Sequence, residues 1–162
     1  MLSNIALSEA NTNFTAKATL ALAIFIDMFG DPVRNEKGWK TIMLGELFDE
    51  GVKCGPFGSA LKRDEYKKNG IPVWTMDKNI DYRFVENGCL YISNDKYSEL
   101  NAYAVKSGDI IISRAGTVGK MCVVNTKHNE SIISTNLIKL SLTKKYIIPE
   151  YFVFLMKYFS KK

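Results

Sequence analysis

The pattern of apolar residues changes period partway along the chain, and that change limits the fold more than any composition figure. Over residues 13–29 the apolar positions Phe14, Ala18, Leu22, Phe25 and Phe29 recur three or four residues apart. That spacing puts them on one face of a helix. Asn11, Thr12 or Asn13 can cap its start. Gly30 stands where a glycine ends a helix, and Pro32 follows at once. A turn-rich connector runs from Gly30 to Gly38. Beyond Trp39 the helical period is lost. Short β-branched or alternating runs replace it: Ile71-Pro-Val-Trp74, Gly108-Asp-Ile-Ile-Ile-Ser113, Met121-Cys-Val-Val124 and Leu137-Ile-Lys-Leu-Ser-Leu142. Bounded by Gly, Asn, Lys or Pro, these read as strands. Short helices are predicted over 41–48 and 94–100. Pro149 fits the first position of a final helix, with Phe152, Leu155 and Phe159 on one face.

The plan is therefore α+β: one mixed domain with a twisted sheet and irregular loops, flanked by an N-terminal helix and a short C-terminal helix. The segments are 1–30, 31–148 and 149–162. A length of 162 residues allows one compact domain with an appendage. No internal repeat is visible. Both terminal helices are richer in aromatics than a small domain needs, which points to packing on each other, on a second copy or on another subunit.

Charge and cysteine usage narrow the function. The 22 Lys and Arg against 17 Asp and Glu leave a net charge of +5, which favours an anionic partner such as nucleic acid. Cys54, Cys89 and Cys122 are odd in number and widely spaced, so neither a disulfide scaffold nor a zinc ribbon fits. They read as reduced thiols inside the cell. His128 is the one histidine, which argues against a His-rich metal site and against Ser-His-Asp or Cys-His catalysis. The apolar stretch from Leu20 to Ile26 is broken by Asp27, well short of the roughly 20 residues of a membrane-spanning helix. A secretory leader is not expected either, and the location read from these features is cytoplasmic.

Several catalytic motifs fail on inspection. Gly116-Thr-Val-Gly-Lys120 lacks the first glycine of a phosphate-binding loop, with Arg114 in its place, and has Met121 where Ser or Thr belongs. There is no dinucleotide fingerprint. The glycine-rich loop and the Asn/Asp-Pro-Pro-aromatic tetrapeptide of an amino-methyltransferase are missing too. Glu65-Tyr-Lys67, with Asp49 upstream, matches a fragment of a metal-dependent nuclease, but it lies in a polar run without strand character and reads as a solvated face.

Three other stretches hold up better. In Gly55-Pro-Phe-Gly-Ser-Ala-Leu-Lys62 the glycines let the backbone turn sharply and approach another segment closely. Exposed amides at Gly58 and Ser59, with Lys62 and Arg63, suit phosphate oxygens. The competing reading is a tight turn with Phe57 plugging the core. In Gly108–Lys120 a strand runs into a loop carrying Arg114, Thr117 and Lys120, a rigid mount for binding groups. The competing reading is a plain hairpin. In Ile133-Ser-Thr-Asn-Leu137 the polar residues can brace a neighbouring loop or reach an adenine edge, and bracing is the preferred role.

These stretches, in this order, resemble the target recognition domain of type I restriction-modification specificity (S) subunits, the HsdS family. The resemblance also rests on Gly38-Trp39, Leu44-Gly-Glu46, Tyr66, Gly70-Ile-Pro-Val73, Asn79-Ile80 and Pro149-x-Tyr151. Met28-Phe-Gly-Asp-Pro32 resembles the end of the preceding helix. The match runs over about residues 25–155. It implies a DNA-binding subunit with no catalytic residue, cofactor or metal of its own. Two recognition domains would read a split target, and helices would dock the modification (M) subunits that methylate adenine, with restriction (R) subunits joining to cut. This chain carries one such domain. It fits a half-length subunit that self-associates through its helices, a remnant of a broken gene, or a fragment.

The expected contact surface follows. Lys62, Arg63, Arg114 and Lys120, with the amides of Gly58-Ser59 and Gly116-Thr117, grip phosphates of double-stranded DNA. The loop 75–88, with Thr75, Asp77, Lys78, Asp81, Tyr82 and Arg83, is expected to read bases in the major groove, where all four base pairs differ; the competing reading is a plain polar surface loop. Two rival readings stand beside this one. The first is an inactive remnant or protein-interaction module that docks a partner through its aromatic helices. The second is a small nuclease using Glu65 and Lys67.

Overall fold

The computed structural model describes residues 16, 19–75, 79–80, 83–115, 118–143 and 145–160. The chain divides into two compact units, one up to Thr41 and one from Ile42. In the first, residues 19–29 form helix α1. Gly30 ends it as predicted, with φ +77° and its N–H donating to the Ile26 carbonyl at 2.8 Å. A left-handed residue at this position is what a glycine supplies most cheaply. The connector then reaches back to the helix end. Lys37 Nζ donates to the carbonyls of Asp27 and Met28, and Trp39 Nε1 donates to that of Phe29 at 2.8 Å. Three carbonyls that a helix end leaves without internal partners are thus satisfied by side chains. Phe29 sits 5.2 Å from the ring of Phe25 and 6.4 Å from that of Trp39. Leu22, Phe25 and Phe29 are the more buried positions, whereas Leu20, Ile24 and Met28 are exposed. Phe14, Ala18 and the predicted caps at residues 11–13 lie outside the described residues.

The second unit is mixed α+β, in agreement with the predicted class. Its strands are β1 (Phe48–Cys54), β2 (Ile71–Trp74), β3 (Asn79–Ile80), β4 (Arg83–Phe84), β5 (Leu90–Ile92), β6 (Ile110–Ser113), β7 (Met121–Val123), β8 (Ile132–Ile133) and β9 (Leu137–Leu142). Among the described residues they form a four-stranded sheet ordered β1-β9-β6-β7, a three-stranded sheet β5-β2-β8 and a β3-β4 ladder. The larger sheet is antiparallel throughout. In the smaller one β2 runs antiparallel to β5 and parallel to β8. Helix α2 (Asn94–Leu100) occupies the predicted position, capped by Ser93, whose Oγ accepts from the Lys96 N–H.

Two expectations about elements are corrected. The segment 41–48 is not a helix: only Leu44–Leu47 forms a single 3-10 turn, and Phe48 already pairs with Leu142 in the sheet. Gly45 weakens any longer helix there. Helix α3 (Pro149–Phe159) starts at Pro149 as predicted, but it buries Pro149, Phe152 and Val153, with Met156 packed beside them. Phe159 is exposed. The buried face is spaced 149, 152, 153, 156, one step round from the predicted stripe, because it seats on Ile110, Met121, Leu140 and Leu142 of the large sheet.

The core lies in layers around β6 and β9. Trp74, Ile111, Cys122, Ile133 and Leu137 fill one cluster, and Leu61, Val73, Ile92, Leu100 and Ile132 another. Burial pushes the Cys122 thiol up to about 12, so it packs as a small apolar group. Where the register of β1 slips between Phe48 and Val52, Glu50 reaches Lys139 Nζ at 2.9 Å. That bond, from a lysine buried in β9, holds the Glu50 carboxyl below its usual range.

Candidate nucleic-acid interface

Three loops that the sequence scatters across eighty residues meet at one place. Gly55 comes so close to the loop 134–137 that a Cβ built on it would lie 2.0 Å from the Ser134 carbonyl oxygen. Its N–H donates to the Leu137 carbonyl at 2.9 Å. Arg114, at the end of β6, joins the same pair of loops. Its N–H donates to the Asn136 carbonyl at 3.0 Å, and its Nε donates to the Thr135 carbonyl at 2.8 Å. The guanidinium lies over the ring of Phe57, 4.8 Å from the centroid. The stretch 134–136 thus braces its neighbours, the role preferred from sequence, through backbone carbonyls.

Phe57 overturns one expectation. It is 65% exposed and does not plug the core. Gly55, Pro56 and Leu61 are the buried members of that loop. Leaving a phenylalanine out of a core forgoes about 1.5–3 kcal/mol of burial. Arg114 recovers a part of this through the cation–π contact, worth about 0.5–1 kcal/mol at an exposed site.

The predicted contact residues divide into groups. Gly58 and Ser59 are exposed on a 3-10 turn over Gly58–Ala60, directly after Phe57. Lys62 and Arg63 are exposed on the turn that follows. Arg114 is half-buried. Lys120 is half-buried as well, at the far side of the β6–β7 turn, where its carbonyl accepts from the Ser113 N–H at 2.8 Å. These residues lie on the loops that Arg114 ties together or on the turn it begins. Arg83 stands apart. It lines a cavity of about 590 Å³ with Gly108, Val124 and Asn125, at the opposite end of the β6–β7 hairpin from Arg114. Lys78, Gly116 and Thr117, and with them Asp77, Asp81 and Tyr82, lie outside the described residues.

Glu65 has a structural role. Its carboxylate accepts from the Lys62 N–H at 2.6 Å and pairs with Lys96 Nζ at 2.7 Å. The Lys96 hydrogen bond, with help from the Lys62 amide, holds its carboxyl below the ordinary value of 4.5, and the same bond raises Lys96 above 10.5. A carboxylate tied in this way braces the Lys62–Arg63 turn. The sign of its pH effect is set by those directions. The Glu65 pair adds stability above the unfolded carboxyl pKa, and the contribution is lost as pH falls through the lower folded value. On the Lys96 side the contribution is lost as pH rises through a folded value above 10.5. Glu65→Gln is therefore expected to flatten the acid limb of the stability curve below about pH 5. Urea titrations of wild type and variant at a series of pH values check this. Parallel curves over that range would remove the role. Among the described residues no group of three or more His, Cys, Asp or Glu side chains is placed to hold a metal ion. Among the described residues no helix is long and apolar enough to cross a membrane.

A small α+β unit whose rigid strands present a tied cluster of loops, with cations and an aromatic ring outward, has the build of a recognition module. The chain belongs to the family of type I restriction modification DNA specificity domains, whose family model matches residues 36–162. No curated protein matches it significantly. Nine solved chains match its fold, and two of them show the likeness. One comes from work titled as the structural basis of complex assembly and conformational transition of the type I R-M system, with TM-score 0.64 and 20% identity over 94% of this chain and 35% of that one. The other is the HsdS subunit from Thermoanaerobacter tengcongensis, with TM-score 0.57 and 20% identity over 96% of this chain and 38% of that one. The chain thus spans little more than a third of the length of the solved chains it resembles.

Proposed function

We propose that this chain recognises a specific sequence in double-stranded DNA for a type I restriction-modification system and catalyses no reaction itself. The observation that carries the reading is the junction of the loops at 55–63, 114–120 and 134–137, fastened by Arg114 in a chain of this family. In this reading Gly58, Ser59, Lys62, Arg63, Arg114 and Lys120 hold phosphates, together with Thr117. Base readout falls to the segment 75–88, with Lys78 and Arg83. Residues 31–148 form the recognition domain. Residues 1–30 and 149–162 belong to spacer helices, and the second of these also closes the domain core through Phe152 and Val153. Adenine methylation and cleavage are the work of modification and restriction subunits in the cytoplasm. Two recognition domains come together either within a longer subunit or by self-association through the helices.

A salt series tests the reading. Fluorescence anisotropy with random duplex DNA is expected to show log K falling linearly with log salt. Lys62→Ala and Arg63→Ala are each expected to make the slope shallower by about 0.9, the release of one phosphate's counterions. Absence of binding at low salt, for the chain alone and with its modification subunit, would instead favour the protein-interaction module.

A further inference from the structure

We infer that Phe57 is itself a DNA contact, an uncharged one that adds affinity without adding salt dependence. The inference rests on the DNA-recognition function proposed above and assigns that surface a residue with no charge to contribute. The loop around Phe57 is pinned at both ends. Gly55 and Pro56 are buried, and Leu61 is buried at 7% exposure. The smaller apolar residues of the loop go inward, while its largest, Phe57, stays out at 65%. The ring is also held. The Arg114 guanidinium lies 4.8 Å from its centroid, and Arg114 is fixed in turn by its bonds to Thr135 and Asn136. A ring mounted this way loses little freedom when a partner covers it.

Charge decides the partner. Exposed Ser59, Lys62 and Arg63 follow Phe57 within six residues, and the guanidinium backing the ring is cationic. An apolar protein surface would meet those charges unpaired, whereas a nucleic-acid duplex supplies phosphates for them. It also offers the ring apolar matter of its own: a thymine methyl, a sugar face or the edge of a base step.

The test compares wild type, Phe57→Ala, Phe57→Tyr and Arg114→Ala in the full chain, using duplex DNA over a salt series with thermal unfolding as the control for folding. Phe57→Ala is expected to bind about tenfold more weakly at every salt concentration with an unchanged slope, the size of one lost aromatic contact. Phe57→Tyr, which keeps the ring, should bind within about twofold of wild type. Arg114→Ala should weaken binding and also make the slope shallower. Wild-type binding with Phe57→Ala unchanged would overturn the inference and leave the proposed function standing. A shallower slope in Phe57→Ala would overturn it too, since the ring would then act only by placing Arg114. A wild type that fails to bind duplex at low salt, both alone and with its modification subunit, would overturn the proposed function, and this inference with it.

Discussion

Gly55→Ala is expected to destabilise the domain by about 3 kcal/mol, at the upper end for a single added methyl. The cause is steric. The new Cβ would lie 2.0 Å from the Ser134 carbonyl oxygen, 2.8 Å from its carbon and 3.3 Å from the Leu137 carbonyl oxygen. All three are backbone atoms, so no flexible side chain can swing aside. The Gly55 backbone is also tethered to the same loop. The Gly55 N–H donates to Leu137 at 2.9 Å, and the ladder between β1 and β9 ends at Cys54 and Ile138. Relief requires opening the end of that ladder. Gly58→Ala supplies the control. Its φ is +38° and nothing lies within 4 Å of its Cβ, so it pays only for backbone strain, about 1 kcal/mol. Urea denaturation of the two variants separates the causes. Equal losses would mean that the contact between Gly55 and Ser134 does not limit the fold. The larger loss expected for Gly55→Ala should be accompanied by lower DNA affinity, because the loop bearing Phe57, Gly58 and Ser59 hangs from that contact.

The parts of this fold that were legible in the sequence are those in which local and tertiary demands agree. The runs Ile110–Ser113 and Leu137–Leu142 are dense in β-branched or alternating apolar residues and form the centre of the large sheet. Pro149 marks the start of α3 by its fixed φ. Strand β1 was missed because Phe48-Asp-Glu-Gly-Val-Lys-Cys54 has no clean alternation: its register slips beside Gly51, and its burial repeats every third residue. Strand β8 has two residues and is defined by tertiary pairing, parallel with β2 and through a bridge from Ile132 to Ala104. At the candidate site, residue types were legible and contacts were not. Arg114 drew notice as a cation beside glycines, yet its bonds run to the backbone carbonyls of Thr135 and Asn136, groups that every residue carries. Phe57 could be read as core or surface, since both readings suit a ring between Pro56 and Gly58. Burial of Gly55 against the 134–137 loop, with Pro56 buried next to it and Phe57 exposed, decides between them. Arg83 follows the other members in kind but not in place, because the β6–β7 hairpin separates its end of the domain from the Arg114 turn.

Trp74→Ala is expected to cost about 3–5 kcal/mol, a large share of the roughly 5–15 kcal/mol that holds a domain folded. Trp74 is fully buried among Val105, Ile111, Cys122, Val124, Ile133 and Leu137, where the two larger sheets meet. Its carbonyl accepts from the Ser134 N–H at 2.9 Å, so the residue also anchors the loop on which Gly55 and Arg114 converge. Its ring stands edge-on to Phe84 at 4.9 Å. Trp74 and Phe84 bracket residues 75–83, most of the segment assigned to base readout, and their contact closes the foot of that loop. The indole Nε1 is buried and finds no hydrogen-bond partner among the described residues. Trp74→Phe therefore deletes a donor that earns nothing in the fold, which offsets part of the lost volume, and its cost is expected to stay below about 2 kcal/mol. Chemical denaturation ranks the pair, and duplex binding by the still-folded Trp74→Phe variant reads the loop. A Phe variant as damaged as the Ala variant would show that the indole nitrogen is satisfied in solution. A stable Phe variant with full affinity would show that an aromatic edge against Phe84 is enough to hold the loop in place.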